Sequence, residues 1–143
     1  MVTRLVLFPH HRDALERHAA AAFPEECCGL LVGRPLADGA QVEQVLPAAN
    51  AEARCRRRSY VIEPRDLLAG HKQARARGLE VVGYYHSHPD HPAVPSERDR
   101  EHAWPGTSYL ILAVASGEVS EVRGWRLRSE GGEFVEEAVE AAR

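Results

Sequence analysis

Cysteine is scarce in this chain of 143 residues: there are three, and no two are spaced as Cys-x-x-Cys. Cys27 and Cys28 are adjacent and Cys55 stands alone, so neither a disulfide framework nor a cysteine-built zinc site is encoded. Reduced thiols point to the cytoplasm. Long apolar runs are missing too, which excludes a transmembrane span. The opening Leu5-Val6-Leu7-Phe8 is cut by Pro9, too soon for a signal peptide. Charge of one sign is absent: 18 Lys+Arg stand against 21 Asp+Glu, for a net −3. With a pI near 6.2, the chain has neither the basicity of a nucleic-acid binder nor an electrostatic pull toward membranes. No repeat or low-complexity segment interrupts it. The 44% apolar and 27% charged residues are ordinary for a globular protein, and the length suits a single domain over 1–143.

Histidine, by contrast, is abundant, and four of the eight lie close together: His86, His88, His91 and His102. The segment Tyr85-His86-Ser87-His88-Pro89 reads as a strand end. Residues i and i+2 of a strand point to one side, so His86 and His88 can present two imidazoles to one ion. Asp99 can add a carboxylate, which leaves a tetrahedral zinc one position for water. Three protein ligands make a catalytic site, whereas four make a structural one. Ser96-Glu97-Arg98-Asp99 reads as a helix start with Ser96 as N-cap. A cap there also fixes the turn that bears Asp99, so the two readings agree.

Taken together, His86-Ser87-His88-Pro89, the gap from Pro89 to Pro95, and Ser96-x-x-Asp99 resemble the motif of the JAMM (MPN+) metalloproteases. The upstream Pro24-Glu25-Glu26-Cys27-Cys28-Gly29, with the apolar run ending in Gly33, is similar to that family's acid-bearing strand, in the register that selects Glu26 over Glu25. The resemblance covers about residues 10–128. It implies a zinc metallopeptidase of the small prokaryotic type. His86, His88 and Asp99 would hold one Zn2+ with water as fourth ligand. Glu26 would be the general base, and Ser96 would donate a hydrogen bond to the developing oxyanion. The implied substrate is the C-terminal Gly-Gly tail of a ubiquitin-fold sulfur carrier, either trimmed or relieved of an attached amino acid. The implied working state is a monomer or weak homodimer. The alternatives are a peptidase acting on a non-carrier peptide and a non-catalytic MPN scaffold. A zinc deaminase would need His-x-Glu and Pro-Cys-x-x-Cys, and neither is present.

Patterning gives an α/β domain, a mixed β-sheet sandwiched by helices, in agreement with the cytidine deaminase-like sandwich that the resemblance implies. Strands are expected at Leu5–Leu7, Cys27–Gly33, Gln41–Leu46, Tyr60–Ile62, Leu79–Tyr85, Ser108–Ala115 and Val119–Arg128. Helices are expected at Pro9–Ala22, from Pro64 to about Arg77 with Leu67, Leu68, His71 and Ala74 inward, and at Ser96–Trp104. Gly131-Gly132 reads as a turn, and Phe134–Arg143 as either a strand or a helix. Cys27 and Cys28 read as small core residues, Trp104 as helix-end packing, and His91 and His102 as solvated. Arg54, Arg56, Arg57 and Arg58 fit either a solvated loop or a docking site for an acidic partner or chain-terminal carboxylate. The Pro89–Pro95 loop is expected to wall a narrow cleft.

Overall fold

The first apolar triplet forms strand β1 (Arg4–Leu7), and Pro9 opens helix α1 (Pro9–Ala22). Proline suits the first helical turn, where its missing N–H would have no partner. The computed structural model describes residues 2–129 and 132–143. The order continues β2 (Cys28–Leu36), β3 (Gly39–Ala48), α2 (Pro64–Ala76), β4 (Glu80–Pro89), α3 (Glu97–Glu101), β5 (Ser108–Ala115), β6 (Glu118–Leu127) and β7 (Phe134–Ala141).

The strands are ordered β1-β3-β2-β4-β5-β6-β7. β1 runs parallel to both β3 and β7, and β4 parallel to β5, while the remaining neighbours are antiparallel. The mixed α/β domain is as expected, but the sheet is not a plain layer between helices: it closes into a seven-stranded barrel. The C-terminal segment, readable as strand or helix, is the strand that closes it. β7 pairs with β6 on one side and with β1 on the other, so among the described strands no edge is left unpaired.

Strand alternation and helix packing divide the core into three clusters. Leu5, Leu31, Val42, Tyr85, Leu110 and Leu112 pack with Leu15 and Ala19 of α1. Val32, Ala74 and Leu79 pack beneath α2, and Ala93, Ile111 and Ala113 form a third cluster. Tyr85 therefore points toward α1. His86 and His88, register partners of Ile111 and Ala113, point the other way.

Three expectations are corrected. Tyr60–Ile62 is not a strand: Val61 donates its N–H to the Asn50 side chain and accepts from the Ala51 N–H, so its backbone is spent locally. Helix α3 ends at Glu101 rather than Trp104, since Pro105 disfavours helical geometry in the residue before it. In α2 the buried residues are Gly70 and Ala74, while Leu68 and His71 face outward. A side chain at Gly70 would strike Leu30, so the helix approaches the sheet through its smallest residues. The turn expected at Gly131-Gly132 lies partly outside the described residues.

Candidate metal centre and catalytic site

The paired ladder of β2 and β4 sets Cys28 opposite His86. Just before β2, the Cys27 N–H donates to Ser87 Oγ (2.8 Å) and the Ser87 N–H donates to the Cys27 carbonyl (3.2 Å). Glu26 is thereby fixed beside the histidine-bearing end of β4. It is 5% exposed, whereas Glu25 is exposed, so the register read from the sequence picks the buried carboxylate.

His86 Nε2, His88 Nε2 and Asp99 Oδ2 form a nearly equilateral triangle. The His–His separation is 3.1 Å, and the two His–Asp separations are 3.2 and 3.1 Å. A tetrahedral zinc with bonds of about 2.0–2.1 Å requires ligand–ligand edges of about 3.3 Å. The donor set therefore fits a zinc ion. Two further observations agree. His88 Nδ1 lies 2.8 Å from the Pro92 carbonyl, which can only accept, so Nδ1 holds the proton and Nε2 keeps its lone pair for a metal. Asp99 is set by a capping box: its N–H donates to Ser96 Oγ, and its carboxylate accepts from the Ser96 N–H (2.8 Å). The Tyr60 ring stacks on His86 at 4.6 Å between centroids.

Electrostatics follow from burial and from this pairing. Burial lowers the His86 pKa and keeps the imidazole neutral. Burial acts the same way on His88, but Asp99 and the Pro92 carbonyl outweigh it and raise that pKa. Burial would raise Asp99, yet the two histidines and the Ser96 N–H hold it well below the carboxylate range. Glu26 is pushed up to about 8, chiefly by burial; His88 and Arg98 oppose the rise and Asp99 adds to it. Among the described residues its Oε1 is buried without a hydrogen-bond partner, a costly arrangement.

From Asp99 a cleft of about 380 Å³ runs outward between Tyr60, Ile62, Tyr84, Trp104 and Tyr109. Its wall is the Ser59–Ile62 segment rather than the Pro89–Pro95 loop. That loop is anchored on the far side of the metal centre, with the Pro92 carbonyl on His88 Nδ1, Ala93 buried and the Ala93 carbonyl accepting from Trp125 Nε1 (2.9 Å). Trp104 does not pack a helix end: it is 69% exposed and lines the cleft, as does His102. Cys27 and Cys28 are buried, as expected.

Sequence reading missed Asn50. Its Nδ2 donates to the carbonyls of Glu26 and Ser59 (both 3.1 Å), and its Oδ1 accepts from the N–H groups of Glu52 and Val61. The Glu26 N–H in turn donates to the Arg56 carbonyl (2.7 Å). Both backbone groups of Glu26 are thus held by one loop. Only three-dimensional pairing reveals this; an asparagine in a polar stretch otherwise reads as a turn residue.

A barrel on which His86, His88 and Asp99 could hold a metal ion beside a buried glutamate has the make-up of a metallohydrolase-like centre. The family described as prokaryotic homologs of the JAB domain matches residues 8–128, and the chain belongs to it. A protein of Haloferax volcanii named desampylase is 38% identical over 116 residues, covering 78% of this chain and 81% of that one. A Thermus thermophilus protein named as a probable TtuB-protein conjugate cleaving protease is 35% identical over 97 residues, covering 68% of this chain and 62% of that one. A solution structure of a Desulfitobacterium hafniense protein aligns with a TM-score of 0.84 at 30% identity, covering 97% of this chain and 93% of that one.

Proposed function

We propose that this chain is a zinc-dependent JAMM-type peptidase that hydrolyses the amide bond at the C-terminal Gly-Gly tail of ubiquitin-like sulfur carrier conjugates. The observation that supports this most is the triangle of His86, His88 and Asp99 with unpartnered Glu26 beside it. The names of the relatives agree with it, and one of them states cleavage of protein conjugates. Residues 1–143 act as one such domain, in the cytoplasm. No described helix is long and apolar enough to cross a membrane.

His86, His88 and Asp99 hold the zinc. Bound there, zinc supplies a Lewis acid and lowers the pKa of water toward neutrality. Glu26 takes a proton from the attacking water and returns it to the leaving amine, so no covalent intermediate is required. Ser96 Oγ accepts from the Asp99 N–H, which leaves its own hydroxyl proton free to donate to the developing oxyanion. The cleft walled by Tyr60 and Trp104 takes the extended tail, and glycines fit where side chains would not.

The test is intact mass of ubiquitin-fold carriers bearing residues after Gly-Gly, incubated with the zinc-loaded protein. The expected result is a product ending at Gly-Gly, absent with Glu26→Gln and with chelator. Unchanged carrier mass with zinc-loaded protein contradicts the assignment.

A further inference from the structure

Resting on the function just proposed, we infer that Arg54, Arg56, Arg57 and Arg58 form a docking surface for an acidic face of the folded carrier, next to its tail. The four guanidinium groups lie on one short exposed segment of a chain whose net charge is −3. Arg4, Arg12, Arg34, Arg65, Arg98, Arg123 and Arg126 each have a carboxylate within 4.0 Å. Among the described residues, none of the four loop arginines has one. Arg17, Arg75, Arg77 and Arg100 have none either; what sets the four apart is that they stand together, exposed, on one loop that runs into the cleft-lining Ser59 and Tyr60.

The loop is also built, not slack. At one end Asn50 fastens it with four hydrogen bonds. Beneath it, Glu52 is buried and binds the Ser59 hydroxyl (2.9 Å), the Arg54 N–H (3.1 Å) and Arg98 (3.1 Å). The next residues, Ser59 and Tyr60, line the cleft at Asp99. A braced backbone presents the arginines at lower ordering cost than a slack loop would, and it leads directly into the cleft where a tail would lie. The matching partner is a carrier with carboxylates flanking its tail. Such complementarity steers association and fixes orientation while leaving the chemistry alone.

The experiment compares the triple variant Arg54→Glu, Arg57→Glu, Arg58→Glu with wild type on two substrates. One is an acidic ubiquitin-fold carrier extended past Gly-Gly; the other is a short peptide containing the same bond. The expected loss in kcat/KM on the carrier is about tenfold or more, carried by KM, while peptide cleavage stays near wild type. Raising salt should weaken the carrier reaction of wild type and strengthen the variant's, whose glutamates repel an acidic carrier until salt screens them. Equal losses on both substrates, or no loss on the carrier, overturn the docking surface. Binding of the same carrier by Glu26→Gln protein separates the two ideas. A carrier bound through the arginines but not cleaved by wild type contradicts the proposed function alone. A carrier cleaved equally well by wild type and triple variant contradicts the docking surface alone. A carrier neither bound nor cleaved overturns both.

Discussion

At the scale of single residues, Glu26 and Ser96 separate chemistry from scaffolding. Glu26 lies off the ligand triangle and its Oε1 has no partner, so Glu26→Gln should retain zinc while kcat falls by about 10²- to 10⁴-fold. Metal content and kcat on one preparation check this; loss of zinc would make Glu26 a ligand instead. Ser96 has two duties, because its Oγ caps the turn that bears Asp99. Ser96→Ala should cost about 1 kcal/mol of stability through the lost cap and should also lower kcat. Ser96→Thr should restore the cap, and urea denaturation of the three proteins measures it. The convergence of His86, His88, Asp99 and Ser96 was legible in the sequence, since their spacing is itself the geometry of a strand end and a helix start; Glu26, sixty residues upstream, was legible only through the family resemblance. Asn50 and Tyr60 were not. Their role depends on contacts with residues 24 and 26 positions away in the chain, which no local pattern records.

Elements succeed in placing the site because they approach closely. Gly29 on β2 packs against the Tyr85 ring of β4, where a Cβ would overlap it. Gly29→Ala should therefore destabilise by roughly 1–3 kcal/mol, as overpacking does, and should weaken zinc binding because Tyr85 adjoins His86. Thermal unfolding with and without zinc reads both effects. On the opposite side of β4, the Tyr85 hydroxyl meets His18 Nδ1 of α1 at 2.8 Å. Burial lowers the His18 pKa, so the folded state takes up this proton less readily than the unfolded chain does. The stability linked to neutral His18 is full above the unfolded value of about 6.5 and is lost as pH falls from there toward the lower folded pKa. In metal-free protein the drop in Tm between about pH 7.5 and 5.5 should be smaller for His18→Gln than for wild type; equal drops refute the linkage. Helix ends and strand ends marked by proline or glycine were readable. Tyr60–Ile62 was misread because three apolar residues look the same whether they pair in a ladder or with an asparagine.

For the molecule as a whole, barrel closure was the least legible feature. It depends on β7 pairing with β1 across nearly the full length of the chain, Arg4 opposite Ala138, and an alternating C-terminal pattern does not name its partner. Closure leaves the site on one face, with β4 and α3 contributing its ligands from separate segments. Metal binding should consequently stabilise the fold by mass action, by about 4 kcal/mol at free zinc a thousandfold above its Kd. Chelation should lower Tm in wild type and leave His88→Ala unmoved, as calorimetry would show. The most direct measurement is a crystal grown with zinc, with data at the zinc edge. One anomalous peak bonded to His86 Nε2, His88 Nε2 and Asp99 Oδ2, with no fourth protein ligand, is the expected result. A peak ligated by Glu26 or Cys27 as well, or no peak at this triangle, would contradict an open catalytic site.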